Sequence, residues 1–191
     1  MILNFEIENT GEISKLLISK GIKDFNTACD YIMNLSYKRI SNTSKIELVI
    51  IEERGTCSTK HSVLATLALE NNHPEIEIIM GIFLMNSETH PILKDFFKDK
   101  HYKFIPEAHC YLRFKGERYD FTSSENRMNE ISQKIVREQR IDPHQIGEWK
   151  IAIHKDYLKK WLNRQVNLDI NLEQLWDDRE KCIKIIEKQS K

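Results

Sequence analysis

Glycine (6 residues) and proline (4 residues) are scarce in this 191-residue sequence, which leaves little material for long flexible linkers. No apolar run approaches the roughly 18 residues that a membrane-spanning helix needs. The longest candidate, 76–85, is interrupted by Glu77 and Gly81. The first six residues carry neither a basic n-region nor an apolar h-region, so no secretion signal is expected. Cysteine is sparse too: Cys29, Cys57, Cys110 and Cys182 stand far apart without Cys-x-x-Cys spacing. Without a secretion signal, these are expected to be reduced thiols of a cytoplasmic protein. Neither sign of charge is in excess, since 29 basic and 29 acidic residues give a net charge of zero. That balance excludes a protein whose main task is neutralising nucleic-acid phosphates or an anionic membrane, so neither is expected as a partner. The oligomeric state is left open.

What is present is an ordinary globular mixture, 40% hydrophobic and 30% charged, with no internal repeat. A chain of this length buries roughly 70% of its unfolded surface and needs no disulfide or metal to hold it. Apolar spacing predicts helices over 24–36, with Asp24 as N-cap, over 57–70, with Thr56 as N-cap, and over 91–98. Further helices are expected from about residue 157 and over 171–187. Residues 46–51 form a short apolar run. Strands are predicted over 75–84, 108–114, 117–122 and 148–153. Helices early and late with strands between them give an α+β fold, an antiparallel sheet packed against helices. One domain is expected over 1–191, with a core at about 20–165 and a helical extension at about 166–191.

The segment Arg54-Gly55-Thr56-Cys57-Ser58-Thr59-Lys60-His61 places a cysteine in the first turn of a helix that is otherwise apolar. Free amides and a partial positive charge at a helix N-terminus favour a thiolate and can bind a developing oxyanion. Gly55 is expected to let the chain turn sharply into the helix. Farther on, Lys115-Gly116 reads as the turn of a hairpin. With Phe114 facing Glu117, Arg113 faces Arg118, Tyr111 faces Asp120 and His109 faces Thr122. One face then carries His109, Tyr111, Arg113, Arg118, Asp120 and Thr122, while Cys110, Leu112, Phe114, Tyr119 and Phe121 share the other. His109 and Asp120 are diagonal neighbours, about 7–8 Å apart at the backbone and within side-chain reach. The register requires Lys115 to adopt a positive φ.

The order Cys57, His109, Asp120, with the cysteine opening a helix and the other two on successive strands, resembles the transglutaminase-like superfamily of papain-type fold. The motifs are Gly55-Thr56-Cys57, Glu107-Ala108-His109-Cys110-Tyr111-Leu112 and Tyr119-Asp120-Phe121-Thr122, within roughly residues 45–125. The last is similar to the family's Asp-Pro-Thr, with Phe121 in place of proline. Ser58 stands where the family often has an aromatic residue. The resemblance implies a transglutaminase-like core in which Cys57 is the nucleophile, His109 the general base and acid, and Asp120 the orienting carboxylate. It implies a hydrolase or acyltransferase acting on an amide- or ester-bearing substrate, a peptide or a small molecule, through a thioester. Arg54-Gly55-Thr56-Cys57 also resembles the Arg-Gly-Gly-x-Cys of arylamine N-acetyltransferases, which share the triad order, with Thr56 breaking that spacing.

Around the trio, Arg54, Lys60, Arg113 and Arg118 outnumber Asp120 and Glu107, so a balanced total can hide a positive cleft that favours acidic substrates. Arg54, Arg113, Tyr111 and His61 are candidate substrate-binding residues. His61, one turn beyond Cys57, is read either in that role, as a supporting group, or as a polar residue on a partly exposed helix face. Lys60 is expected to face solvent. No cofactor is expected. Cys57, His61, His109 and Cys110 are zinc-capable, but adjacent strand residues 109 and 110 point to opposite faces, so no metal site is expected. A fold of this type can also lose activity and serve as a binding module.

Overall fold

The computed structural model describes residues 2–125, 128–166 and 168–189. Its helices are α1 (Glu12–Ser19), α2 (Phe25–Asn34), α3 (Leu48–Ile51), α4 (Cys57–Glu70), α5 (Lys94–Lys98), α6 (Met128–Ser132), α7 (Glu148–Leu162) and α8 (Leu172–Gln189). Its strands are β1 (Ser36–Tyr37), β2 (Arg54–Gly55), β3 (Glu77–Met85), β4 (Ile105–Phe114), β5 (Glu117–Tyr119) and β6 (Ile135–Arg140). Four of them form an antiparallel sheet in the order β5-β4-β3-β6, and β1 and β2 make a small parallel pair. The architecture is α+β. Among the described residues no helix is long and apolar enough to cross a membrane.

Period-two alternation along β3 and β4 sorts side chains onto two covered faces. Ile78, Met80 and Ile82 of β3 join Ala108, Cys110, Leu112 and Phe114 of β4 in a core shared with α1, α2 and α4. Phe83, Met85 and Ile105 point the other way, toward Ile131 of α6, Leu158 of α7, and Leu175 and Cys182 of α8. The predicted extension at 166–191 therefore includes a helix that covers one face of the sheet. Helix α4 is buried almost all round, Ala and Leu alternating with small polar residues. A helix enclosed in this way brings its N-terminus into the protein interior.

Two segments read differently in the structure. Residues 148–153 belong to α7, not to a strand. The stretch Trp149-Lys150-Ile151-Ala152-Ile153 alternates like a strand, yet Ile151 is exposed while Lys150 and His154, four apart, are buried together. Strand β6 was not anticipated because Arg-Glu-Gln-Arg in Ile135–Arg140 offers no apolar alternation; it is an edge strand. The hairpin register is the predicted one, Phe114 opposite Glu117 and Arg113 opposite Arg118. Lys115 (φ 50°) and Gly116 (φ 82°) adopt the left-handed backbone that a two-residue turn demands.

Candidate active site

The entry to α4 is fixed by its own sequence. Thr56 is the N-cap, and its N–H donates to the Thr59 hydroxyl at 2.9 Å. Gly55 is needed for close approach, not for an unusual φ. A Cβ there would lie 2.9 Å from Lys60 Cγ and 3.0 Å from Thr59 Oγ1. Gly55 also pairs with Tyr37 in the β1–β2 bridge, which brings the segment after α2 beside the start of α4. Cys57 is the first residue of the helix and is 8% exposed.

The sheet supplies the facing wall. Strand β5 pairs only with 112–114, so the edge of β4 is open from Cys110 back to Pro106. Phe114 and Glu117 flank the tight turn, so even-numbered backbone groups of β4 point to that edge. Three side chains fill it. The Cys57 sulfur lies beside the Cys110 N–H. Lys150 Nζ donates to the Ala108 carbonyl at 2.7 Å, and His154 Nε2 donates to the Pro106 carbonyl at 2.8 Å. The missing strand partner thus becomes the place where Cys57 and the sheet meet.

His109 projects from β4 into the same cavity as Cys57, close enough for each to act on the other's charge. Its Nε2 donates to Asp120 Oδ2 at 2.8 Å, which leaves Nδ1 for the thiol. Asp120 follows β5 directly. Its Oδ1 accepts the Thr122 N–H at 2.9 Å and the Thr122 hydroxyl at 2.5 Å, a local turn that orients the carboxylate. Burial pushes the Cys57 thiol up, but the charge of neighbouring His109, helped by that of Lys150, outweighs it and brings the thiol from 9.0 down to about 6. Burial pulls the His109 imidazole down, yet the charges of Asp120 and Cys57 hold it well above its ordinary value. Burial likewise opposes ionisation of Asp120, and the charge and hydrogen bond of His109, with the Thr122 hydroxyl, keep it ionised far below the usual range. Both shifts run in the direction that favours thiolate and imidazolium over the neutral pair.

His61 is fully buried. Its Nδ1–H donates to the Cys57 carbonyl at 2.7 Å, and its Nε2 accepts the Phe121 N–H at 2.8 Å. Both nitrogens are engaged, so the imidazole is neutral; burial lowers it to about 4. It joins the Cys57 turn to the turn after Asp120, and both ring nitrogens are taken up by these contacts. Lys60, expected at the surface, is also fully buried. Its ammonium donates to the carbonyls of Met33 (3.2 Å), Leu35 (2.6 Å) and Thr122 (2.8 Å), fastening two walls of the site together. Burial lowers it to about 8 against the opposing charges of Asp120 and Cys57.

The remaining candidate substrate residues lie elsewhere. Arg54 pairs with Glu52 at 2.6 Å. Arg113 is held by Glu77 at 3.0 Å. Tyr111 is fully buried with its hydroxyl on Glu138, which also holds Arg118. Its ring lies over Gly81, where a Cβ would come within 2.9 Å of it. Arg113 and Arg118, which face each other across the hairpin, are thus each neutralised by a glutamate, Glu77 and Glu138. These pairings also remove the positive cleft expected from the sequence.

A cavity of about 280 Å³ opens onto Cys57, His109 and Asp120, and no lysine or arginine lines it among the described residues. Sequence reasoning missed several of its neighbours: Lys150, Tyr37, and Ile183 and Ile186 of α8. Tyr37 is raised well above its ordinary value by burial and then by the nearby Cys57 and Glu107, so its hydroxyl stays protonated. Glu107 is gripped by Arg179 of α8 through two contacts of 2.5 and 2.7 Å. Although burial opposes it, Arg179 holds Glu107 down at about 2. Among the described residues no group of three or more His, Cys, Asp or Glu side chains is placed to hold a metal ion. Compared with family models, curated proteins and solved structures, the chain matches none.

Proposed function

We propose that this chain is a transglutaminase-like cysteine enzyme, an amide hydrolase or acyltransferase working through Cys57, His109 and Asp120. The observation that carries the reading is one imidazole, His109, whose Nε2 rests 2.8 Å from Asp120 Oδ2 and which shares the wall of one cavity with the Cys57 thiol. A thiol, a base and an orienting carboxylate in that order perform nucleophilic acyl transfer.

The Cys57 thiolate attacks the carbonyl carbon of an amide or ester, forming a C–S bond and placing the carbonyl electron pair on oxygen. The first-turn amides of α4 are the donors available to that oxyanion. As it collapses, His109 gives its proton to the departing amine or alcohol and a thioester remains on Cys57. Neutral His109 then takes a proton from water or an acceptor amine, which attacks the thioester and regenerates the thiolate. Asp120 stabilises the imidazolium and fixes its Nε2–H tautomer, while His61 and Lys60 hold the two halves of the site in register. The cavity beside Cys57 favours this reading over a purely binding role on the same fold.

Turnover of a mixed panel of amide and activated-ester substrates by wild type and by Cys57→Ala, His109→Ala and Asp120→Asn tests the proposal. Loss of all activity in Cys57→Ala and a fall of at least about 100-fold in the other two are expected. Activity undiminished in Cys57→Ala would refute it.

A further inference from the structure

The cavity changes character with depth. Asn34, Ser36, Ser124 and Glu125, which line it, are exposed and polar. Phe83, Met85, Ile131 and Ile183, which also line it, are 2%, 1%, 3% and 7% exposed. They come from β3, α6 and α8, three elements that meet on the His109 side of the sheet. A polar mouth and an apolar floor with a nucleophile in the wall sort a substrate by its ends. Among the described residues the ionisable groups that line it besides Cys57, His109 and His90 are Tyr37 and the carboxyls of Glu107, Glu125 and Asp120. Glu107 has both oxygens on Arg179, so that buried carboxylate is already neutralised and offers no cation site. Among the described residues no lysine or arginine lines the cavity to neutralise an anionic acyl group, and a cationic one would have to leave water for hydrocarbon.

We propose that the floor is an acyl pocket, and that the substrates are amides or esters of uncharged, apolar acids. This deepens the reading of Cys57 as an acyl-accepting nucleophile and rests on it. A cavity of about 280 Å³ falls just below the range of drug-sized sites, which suits an aliphatic or small aromatic acyl group of roughly four to eight carbons. The acyl chain lies against Phe83, Met85 and Ile183 while the leaving amine or alcohol faces the polar mouth. Helix α8 is then part of the specificity machinery, contributing Ile183 to the floor and Arg179 to the silencing of Glu107.

The test uses p-nitrophenyl acetate, butanoate, hexanoate and octanoate, with the negatively charged p-nitrophenyl hemisuccinate as the counterpart of the butanoate. First-turnover acylation of Cys57 is measured by nitrophenolate release, corrected with Cys57→Ala. It is compared with alkylation by iodoacetamide, which needs no acyl pocket. Acylation is expected to rise by up to about fourfold per methylene as far as hexanoate, and hemisuccinate is expected to react at least tenfold more slowly than butanoate. Ile183→Trp, checked by thermal melting, is expected to move the optimum to shorter chains while iodoacetamide still alkylates Cys57. Should that variant fail to fold, the wild-type ester series decides alone. A flat series, hemisuccinate faster than butanoate, or an unchanged optimum in folded Ile183→Trp would overturn the acyl pocket and leave the reading of Cys57 standing. Esters that never acylate Cys57, together with iodoacetamide reactivity no greater than that of an ordinary thiol at pH 6, would overturn both.

Discussion

Replacing Asp120 by Asn should move the pH profile of Cys57 alkylation, and the size of the wild-type effect can be worked out in advance. With the thiol at about 6 in place of 9.0, half of Cys57 is thiolate at pH 6. A thiol of ordinary value is about 0.1% ionised there, roughly a 500-fold difference. A less basic thiolate is a weaker nucleophile: a Brønsted slope of about 0.4–0.5 over three pKa units costs about 16- to 32-fold. The net advantage is therefore about 20-fold at pH 6 and fades to near parity around pH 7.5. A single rate at neutral pH is thus a poor test, and the inflection of the profile is the informative quantity. Initial rates of iodoacetamide labelling from pH 4.5 to 10, resolved by residue with mass spectrometry, should place the wild-type Cys57 inflection near 6. Asp120→Asn removes the charge that most strongly supports the His109 imidazolium, so the inflection should rise toward the ordinary value. Cys29, Cys110 and Cys182 are all raised by burial and serve as internal references. A wild-type inflection at 8.5 or above, or one that Asp120→Asn leaves in place, would refute the electrostatic account of the site.

Lys60→Met leaves three carbonyls without their shared donor and should destabilise the fold by roughly 2–5 kcal/mol; a urea midpoint equal to wild type would show that the clamp contributes nothing. Phe121→Pro removes the N–H that His61 Nε2 accepts and should cost about 1–3 kcal/mol more than Phe121→Ala. The difference should vanish in a His61→Leu background, and its persistence there would separate the two residues. Acid stability follows from His61 and His154, both lowered from 6.5 to about 4, with burial as the first cause. The unfolded chain binds more protons than the folded one in that window, so stability falls as pH drops from 6.5 toward 4, by up to about 3 kcal/mol per histidine. Urea unfolding at pH 7 and pH 4.5 checks the sign, which a constant or rising stability would contradict.

The α4 entry and the β4–β5 hairpin were legible because local chemistry sets them. Thr56 and Thr59 close the helix start, and Lys115-Gly116 allows one register. The pairing stops at Leu112 opposite Tyr119, short of the predicted strand to 122, and Asp120 reaches His109 from the turn that follows β5. What the sequence hid depends on tertiary placement. Lys60 and His61 look like surface residues of a helix, and nothing local says that α4 is enclosed on every side. Lys150 was concealed by an alternating stretch that mimics a strand. The arginines near the trio gave a positive count, but their partners Glu52, Glu77 and Glu138 are brought to them only by the fold. The acyl pocket draws on β3, α6 and α8, segments far apart in the chain whose convergence has no local signature.

The central claim is that Cys57 forms a covalent acyl intermediate. Acid-quenched samples taken within the first turnover of p-nitrophenyl butanoate, digested and read by mass spectrometry, test it most directly. The account predicts the mass of one butanoyl group on the peptide that bears Cys57, accumulating in wild type and absent in Cys57→Ala. Nitrophenolate release with no acyl mass on that peptide, or the same adduct on another cysteine in Cys57→Ala at the wild-type rate, would contradict it.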